Sequence, residues 1–406
     1  MATDASEKLP ILIVGGGIGG AATALALSRI GRASIVLEQA DDLTEIGAGI
    51  QMPPNAFKAF RALGVLEAVE RVAAYPERLV LGDMLTGRPV YEAPIGDAFV
   101  ERFGFRYALM HRGDLLQVLV DACRDSDLIT LRTGARVTGF RDVGDRVVVT
   151  THSGETLEGT AMIAADGLWS ATRTALHGAE APRTDGYIVC RGVVPIAELP
   201  PGLFSRTVTM WGGPELDLFH YPLRRGEIYN IGASYRDHDL VPGAPNPKGD
   251  RDVLNARFRD ACPHVKALLP YIDVSRAWVL YDRPPIATWT RGRVALLGDA
   301  PHPTTIYISQ GACMALEDAV VLAQAIAGAN DIPAALEAYA RARYLRTARI
   351  QLTSRQFGEV YHAAGVHREL RNQLLAGARP EALYDTLGWV FGGADADALA
   401  TATAVA

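Results

Sequence analysis

The chain has 406 residues, 49% hydrophobic and 21% charged, with a formal net charge of -6. That is enough to bury a large core in two or three domains, and the mild acidity without a lysine/arginine block excludes a nucleic-acid partner. Four scattered cysteines (Cys123, Cys190, Cys262, Cys313) form no CxxC pair, so no metal site is expected, and free thiols suit a cytoplasmic location.

The first element carries a competing reading. Leu9 to Ser28 holds no charged residue, Lys8 precedes it, and Ala24-Leu25-Ala26 mimics a signal cleavage site. Five glycines between Gly15 and Gly20 favour a strand–turn–helix unit over a membrane helix. Ile11 to Val14 reads as a buried strand, Ile18 to Ile30 as a helix stopped by Gly31, and Ser34 to Leu37 as a second strand ending at Glu38. Pro54 to Leu63, stopped by Gly64, and Leu115 to Cys123 read as helices. Leu128 to Ile163, with runs at Arg146–Thr151 and Thr156–Ile163, reads as an antiparallel meander. Tyr187 to Tyr281 is strand-rich, with a loop at Pro242–Pro247. Arg293 to Leu297 is a buried strand, Gly311 to Ala327 a helix, and Ile332 to Ala376 mostly helical. Ala394 to Ala406 is a frayed tail. No later run is long and apolar enough to span a bilayer, so no membrane partner is expected. The order implies an α/β fold in which a dinucleotide domain carries an inserted sheet domain.

Three motifs carry chemistry. In Gly15-x-Gly17-x-x-Gly20, Gly15 permits the tight turn, Gly17 lets backbone approach a pyrophosphate, and Gly20 lets helix and strand pack closely. The helix N-terminus attracts phosphates, and Glu38 accepts ribose hydroxyls. The second motif is Ala165-Asp166-Gly167-Leu168-Trp169-Ser170-Ala171-Thr172-Arg173. The third is Leu297-Gly298-Asp299-Ala300-Pro301-His302-Pro303, followed by Gln310-Gly311-Ala312. There an acid at a strand end can hold a hydroxyl chain, and the helix starting near Gly311 can stabilise an anionic ring.

In this order the three motifs resemble those of the FAD-dependent aromatic hydroxylases, the single-component para-hydroxybenzoate hydroxylase class, over nearly the whole chain. The resemblance implies a Rossmann-like FAD-binding βαβ domain (1–75, 100–183 and 283–345), an inserted antiparallel β-sheet substrate domain (76–99 and 184–282) and a C-terminal helical region (346–406). It implies FAD contacts at Ile18, Ala48, Arg112 and Val137. Asp166 and Arg173 match the motif tied to FAD and NAD(P)H, Asp299 the ribityl chain, and Gly311 and Ala312 the flavin end. Gly47-Ala48-Gly49-Ile50 resembles the segment along the flavin ring. Val366-His367-Arg368-Glu369-Leu370-Arg371-Asn372 and its surroundings are similar to 3-hydroxybenzoate 6-hydroxylases, with salicylate and 6-hydroxynicotinate hydroxylases close by.

The implied reaction reduces FAD with NADH or NADPH, forms a flavin hydroperoxide with O2, and hydroxylates a small phenolic or N-heteroaromatic substrate that carries a carboxylate. The single GxGxxG leaves the nicotinamide without a Rossmann domain of its own. The implied pocket contains Gln51, Leu216, Ile306 and Tyr307. These relatives carry a histidine, and a tyrosine four residues later, on a strand after a Trp-containing segment. Within Met210-Trp211-Gly212-Gly213-Pro214-Glu215-Leu216-Asp217-Leu218-Phe219-His220-Tyr221-Pro222 the alignment puts Leu216 and His220 at those positions. His220 is thus the candidate base, against a bland reading as a strand histidine bonded to backbone. Strict alternation puts Asp217 outside the pocket. His302 reads as structural. No arginine is clearly placed for a substrate carboxylate. Two alternatives stand beside the hydroxylase: the same fold as an isoprenoid-quinone hydroxylase, epoxidase or reductase, and a non-catalytic dinucleotide-binding protein. A monomer or homodimer is expected.

Overall fold

A computed structural model describes residues 9–44, 48–241, 243 and 246–394. Gly47, half of the loop expected at 242–247 and the tail from 395 onward lie outside the described residues. The uncharged N-terminal run divides into the strand Ile11–Val14 and the helix Ile18–Arg29. Gly15 makes the break with φ +104°, and a Cβ on Gly20 would lie 1.8 Å from the Gly15 carbonyl oxygen. Only glycine permits that approach. No helix among the described residues is long and apolar enough to cross a membrane.

The strand Ile11–Val14 sits in a six-stranded sheet, ordered Thr290–Arg291, Val294–Leu296, Ala161–Ala164, Ile11–Val14, Ser34–Leu37 and Ile129–Arg132. All neighbours are parallel except the first pair. Both faces are covered, so its inner strands Ile11–Val14, Ala161–Ala164 and Val294–Leu296 are continuous apolar runs. The expected meander is therefore only partly antiparallel. The strands Val137–Asp142, Val147–Thr151 and Thr156–Gly159 form a three-stranded sheet, whereas Ile129–Arg132 and Ala161–Ala164 leave it for the parallel sheet. The run Thr156–Ile163 breaks at Thr160, whose N–H donates to the Pro10 carbonyl at 2.9 Å. A side chain on Gly159 would strike Leu12 and the same Pro10 oxygen.

A second sheet has seven strands, ordered Asp273–Val279, Tyr187–Pro195, Ile228–Arg236, Leu216–Leu223, Val208–Gly213, Arg78–Asp83 and Arg88–Pro94. One face packs on the helices Arg251–Arg257 and Pro263–Leu268 through Leu254, Phe258, Val265 and Leu268. Both helices escape the sequence reading because two turns or fewer show no helical periodicity. The other face looks onto the dinucleotide side, where Gly49 N–H donates to Asn230 Oδ1 at 2.8 Å. The boundary expected at residue 345 falls inside one continuous helix, Ile332–Tyr361. That helix carries Arg343 and Arg346 to Glu317 and Asp318 of the helix Gly311–Ile326. Burial would raise the Glu317 pKa, but the two guanidinium charges bring it down to about 2. His302 Nε2 adds to this buried network at 2.6 Å from Asp318 Oδ2.

Candidate active site

The motif residues converge at the carboxyl ends of the parallel strands. Glu38 accepts the N–H groups of Gly16 (2.7 Å) and Ala40 (2.9 Å), which fixes its carboxylate beside the glycine turn. Ala135 N–H donates to the Glu38 carbonyl at 2.7 Å, so Val137 starts its strand nearby. A Cβ on Gly15 would lie 2.4 Å from the Ala165 oxygen, which brings the second motif against the first. Asp166 Oδ2 accepts Thr172 N–H at 3.1 Å, while its buried Oδ1 has no partner. Arg173 is buried and donates to the carbonyls of Ala300 (3.1 Å) and Pro301 (2.9 Å). It thus clamps the second motif to the third. Asp299 is exposed, and its Oδ1 lies 3.8 Å from the Cβ position of Gly311. Arg112 N–H donates to the Ala48 carbonyl at 3.0 Å.

This donor set fits FAD. The helices Ile18–Arg29 and Gly311–Ile326 begin with no capping side chain and no acid in the first turn. Their first N–H groups and positive dipole ends are left for a pyrophosphate and for an anionic ring. The lone oxygen of Asp166 and the carboxylates of Glu38 and Asp299 supply acceptors for hydroxyls. Gly17 and Ile18 stand at the start of the first helix, and Ala312 in the first turn of the second.

Beside it, the inner face of the seven-stranded sheet forms the opposite wall of a cleft. Cross-strand register puts Asp217 with Ser234, Phe219 with Gly232 and Arg191, and Tyr221 with Asn230. Tyr221 packs on the strand Gly49–Met52: a Cβ on Gly49 would lie 2.4 Å from its ring. Tyr107 donates to Gln51 Oε1 at 2.6 Å. Burial pushes both tyrosines above the usual phenol range, so both stay protonated. Ile306 packs on this side, and Tyr307 lies edge-on to His362, ring centroids 5.3 Å apart. His362 stacks on Tyr187 at 4.0 Å and donates to Asp217 Oδ2 at 2.7 Å.

Residues 8–352 match the family described as FAD binding domain. The chain belongs to that family. It is 41% identical to a 3-hydroxybenzoate 6-hydroxylase of Polaromonas naphthalenivorans (strain CJ2), over 96% of this chain and 97% of the relative. It is 39% identical to 3-hydroxybenzoate 6-hydroxylase 1 of Aquipseudomonas alcaligenes, over 94% and 97%. The solved structure of Klebsiella pneumoniae HpxO with FAD and uric acid superposes with a TM-score of 0.82 at 29% identity, covering 94% and 96%. This member of the FAD binding domain family is an FAD-dependent aromatic hydroxylase, an enzyme reduced by NAD(P)H.

The family frame makes the placement of two expected pocket residues decisive. Leu216 and His220 point to the outer face of the sheet, away from the flavin strand. His220 is buried among Trp211, Tyr229 and His264. Trp211 Nε1–H donates to His220 Nε2 at 3.0 Å, which leaves Nδ1–H to donate to the Tyr229 hydroxyl at 2.6 Å. Burial, then the neighbouring His264, brings its pKa down to about 3. A neutral imidazole with both nitrogens taken, one strand thickness from the cleft, cannot take a substrate proton. The pair four residues apart that does face the cleft is Asp217 and Tyr221, and the expectation that Asp217 lies outside is reversed. Tyr107, Arg191 and His362 are further cleft residues that sequence reasoning missed. Tyr107 immediately precedes the strand Ala108–His111, its one sequence signal.

Proposed function

We propose that this flavoprotein hydroxylates a small phenolic acid of the hydroxybenzoate kind, as the names of its relatives suggest. The observation that supports this is the hydroxyl-lined end of the cleft, where Tyr107, Gln51 and Tyr221 meet beside Gly49. FAD, when bound, supplies electron transfer from NADH or NADPH and the activation of O2. Glu38, Asp166 and Asp299 would hold its hydroxyls, and the two uncapped helix ends its pyrophosphate and ring.

The chain's own contribution begins with the substrate oxygen. An ordinary phenol at pH 7 needs about 4 kcal/mol to ionise, three pKa units at 1.36 each. Tyr221 remains protonated, so its hydroxyl can hydrogen-bond an anionic phenolate oxygen and lower that cost, while Tyr107, whose single O–H goes to Gln51 Oε1, holds that amide in place. Phe219, Ile306 and Tyr307 supply apolar walls that exclude water. The enzyme works in the cytoplasm as a monomer or homodimer; Val366, Leu370 and Leu374, exposed along one side of the helix Gly365–Ala376, are the surface through which copies would pair.

The test is NADH and NADPH oxidation by the FAD-loaded protein with hydroxybenzoates and hydroxypyridine acids. At least one should stimulate oxidation about tenfold or more and yield a product heavier by one oxygen. No stimulation by any of them refutes the reading.

A further inference from the structure

Arg191 lies in the strand Tyr187–Pro195, directly across Gly232 from Phe219. The missing side chain at Gly232 is what makes this row possible. A Cβ there would lie 2.2 Å from the Phe219 ring, so the ring lies down over the glycine. The Arg191 guanidinium then rests on that ring, 5.7 Å from its centroid. The rows on either side hold Asp217 and Tyr221, and Tyr221, Arg112 and Asp217 all lie close enough to act on its charge.

Among the described residues Arg191 donates no side-chain hydrogen bond and joins no ion pair, and its Nε is sealed from solvent without a partner. The nearest carboxylate does not neutralise it: Asp217 spends Oδ1 on Ser234 at 3.0 Å and Oδ2 on His362 at 2.7 Å. A half-buried guanidinium left this way costs stability unless an anion completes it. By contrast Arg368 and Arg371, which reach the sheet from a C-terminal helix, are both bonded to Asp83.

We infer that Arg191 is the anchor for the carboxylate of a small aromatic acid in the cleft. The inference rests on the proposed function and adds the residue that selects acids over neutral phenols. A planar fork matches a carboxylate with two parallel N–H bonds. Its row neighbour Phe219 offers the substrate ring an apolar surface, and Tyr221, one row on, lies on the side of the flavin strand. The anchor thus holds the acid at one end and leaves the ring's far side towards Gly49.

The experiment uses FAD-loaded protein and reads ligand binding from the flavin absorbance, with 3-hydroxybenzoate and phenol as probes. The wild type should bind the acid about 30-fold more tightly than phenol, about 2 kcal/mol at 1.4 per tenfold. Arg191→Gln should bring that ratio near one, leave the phenol Kd unchanged and retain FAD. Arg191→Lys, which keeps the charge but not the fork, should retain an intermediate ratio. An unchanged ratio in Arg191→Gln, no preference in the wild type, or loss of FAD from both variants would overturn the inference. Because binding is read without turnover, a protein that selects the acid through Arg191 yet hydroxylates nothing would sink the proposed function alone.

Discussion

The two faces of the seven-stranded sheet each bury a histidine, and they use it in opposite ways. On the outer face His220 is neutral, and its two nitrogens are matched by Trp211 and Tyr229. On the inner face His362 meets a carboxylate, Asp217, that is wholly buried, and Arg191 nearby has a ring beneath it but no side-chain hydrogen bond or ion pair among the described residues. A satisfied neutral cluster is what a core does with polar groups. Charge that is only partly matched is costly to keep and belongs where a ligand arrives. The sheet is therefore a structural wall on one side and a binding wall on the other.

The sharpest break of this contrast is His362→Ala. It leaves the Asp217 carboxylate buried with only Ser234, so we expect a stability loss of about 3–5 kcal/mol. Adding Asp217→Asn should recover part of it, because the uncompensated charge goes. Denaturant unfolding of the four proteins in this cycle measures the coupling; a loss below about 1 kcal/mol for His362→Ala means that the pair carries no charge.

His220→Ala comes next. It strands the Trp211 N–H, takes one of two hydrogen bonds from the Tyr229 hydroxyl, which keeps the Ser205 N–H, and opens a cavity, for about 2–3 kcal/mol. Turnover of the folded enzyme, and its pH profile, should stay within about twofold, far short of the factor of 100 or more that loss of a general base costs. A rate collapse in folded protein would restore His220 to the chemistry.

Tyr221→Phe tests the inner face with almost no change in packing. We expect kcat/KM to fall about 30-fold, or about 2 kcal/mol, with the unfolding midpoint unmoved. Equal effects on rate and stability would make Tyr221 a packing residue.

These contrasts also separate what the sequence makes legible from what it hides. The dinucleotide edge is readable because its determinants are local: Gly15, Gly20 and Glu38 act at fixed spacing within one βαβ unit. The sheet face is not, because a slip of one residue turns every side chain over. Here the slip is decided by the two-residue connection Pro214-Glu215 between paired Gly213 and Leu216, with Glu215 at φ +56°. That positive φ at a non-glycine residue has no sequence signature, and an alignment off by one residue, carried along by strict alternation, points Leu216 and His220 inward and Asp217 outward. Arg191 is hidden for a related reason. Its setting depends on Gly232 and Phe219, 41 and 28 residues away in the chain, and only cross-strand register brings them together.

The smallest effect is a pH dependence confined to the outer face. The folded His220 pKa, near 3, lies below the ordinary value of 6.5. Above pH 6.5 the imidazole is neutral folded or unfolded and contributes no slope. Between about 6.5 and 3 the unfolded chain takes up a proton that the folded protein refuses, so stability falls as pH falls, by up to about 1.4 kcal/mol per unit. At pH 5.5 the loss amounts to about 1.4 kcal/mol, to be read against the pH 7.5 value by denaturant unfolding. His220→Gln, which cannot titrate, should remove this component and flatten the curve between pH 7 and 5, leaving the lower limb to carboxylates such as Glu317, whose stabilising charge is lost from pH 4.5 towards 2. An equal slope in wild type and His220→Gln would mean that water or a counter-charge reaches the outer cluster, and the contrast between a dry structural face and a charged binding face would lose its simplest support.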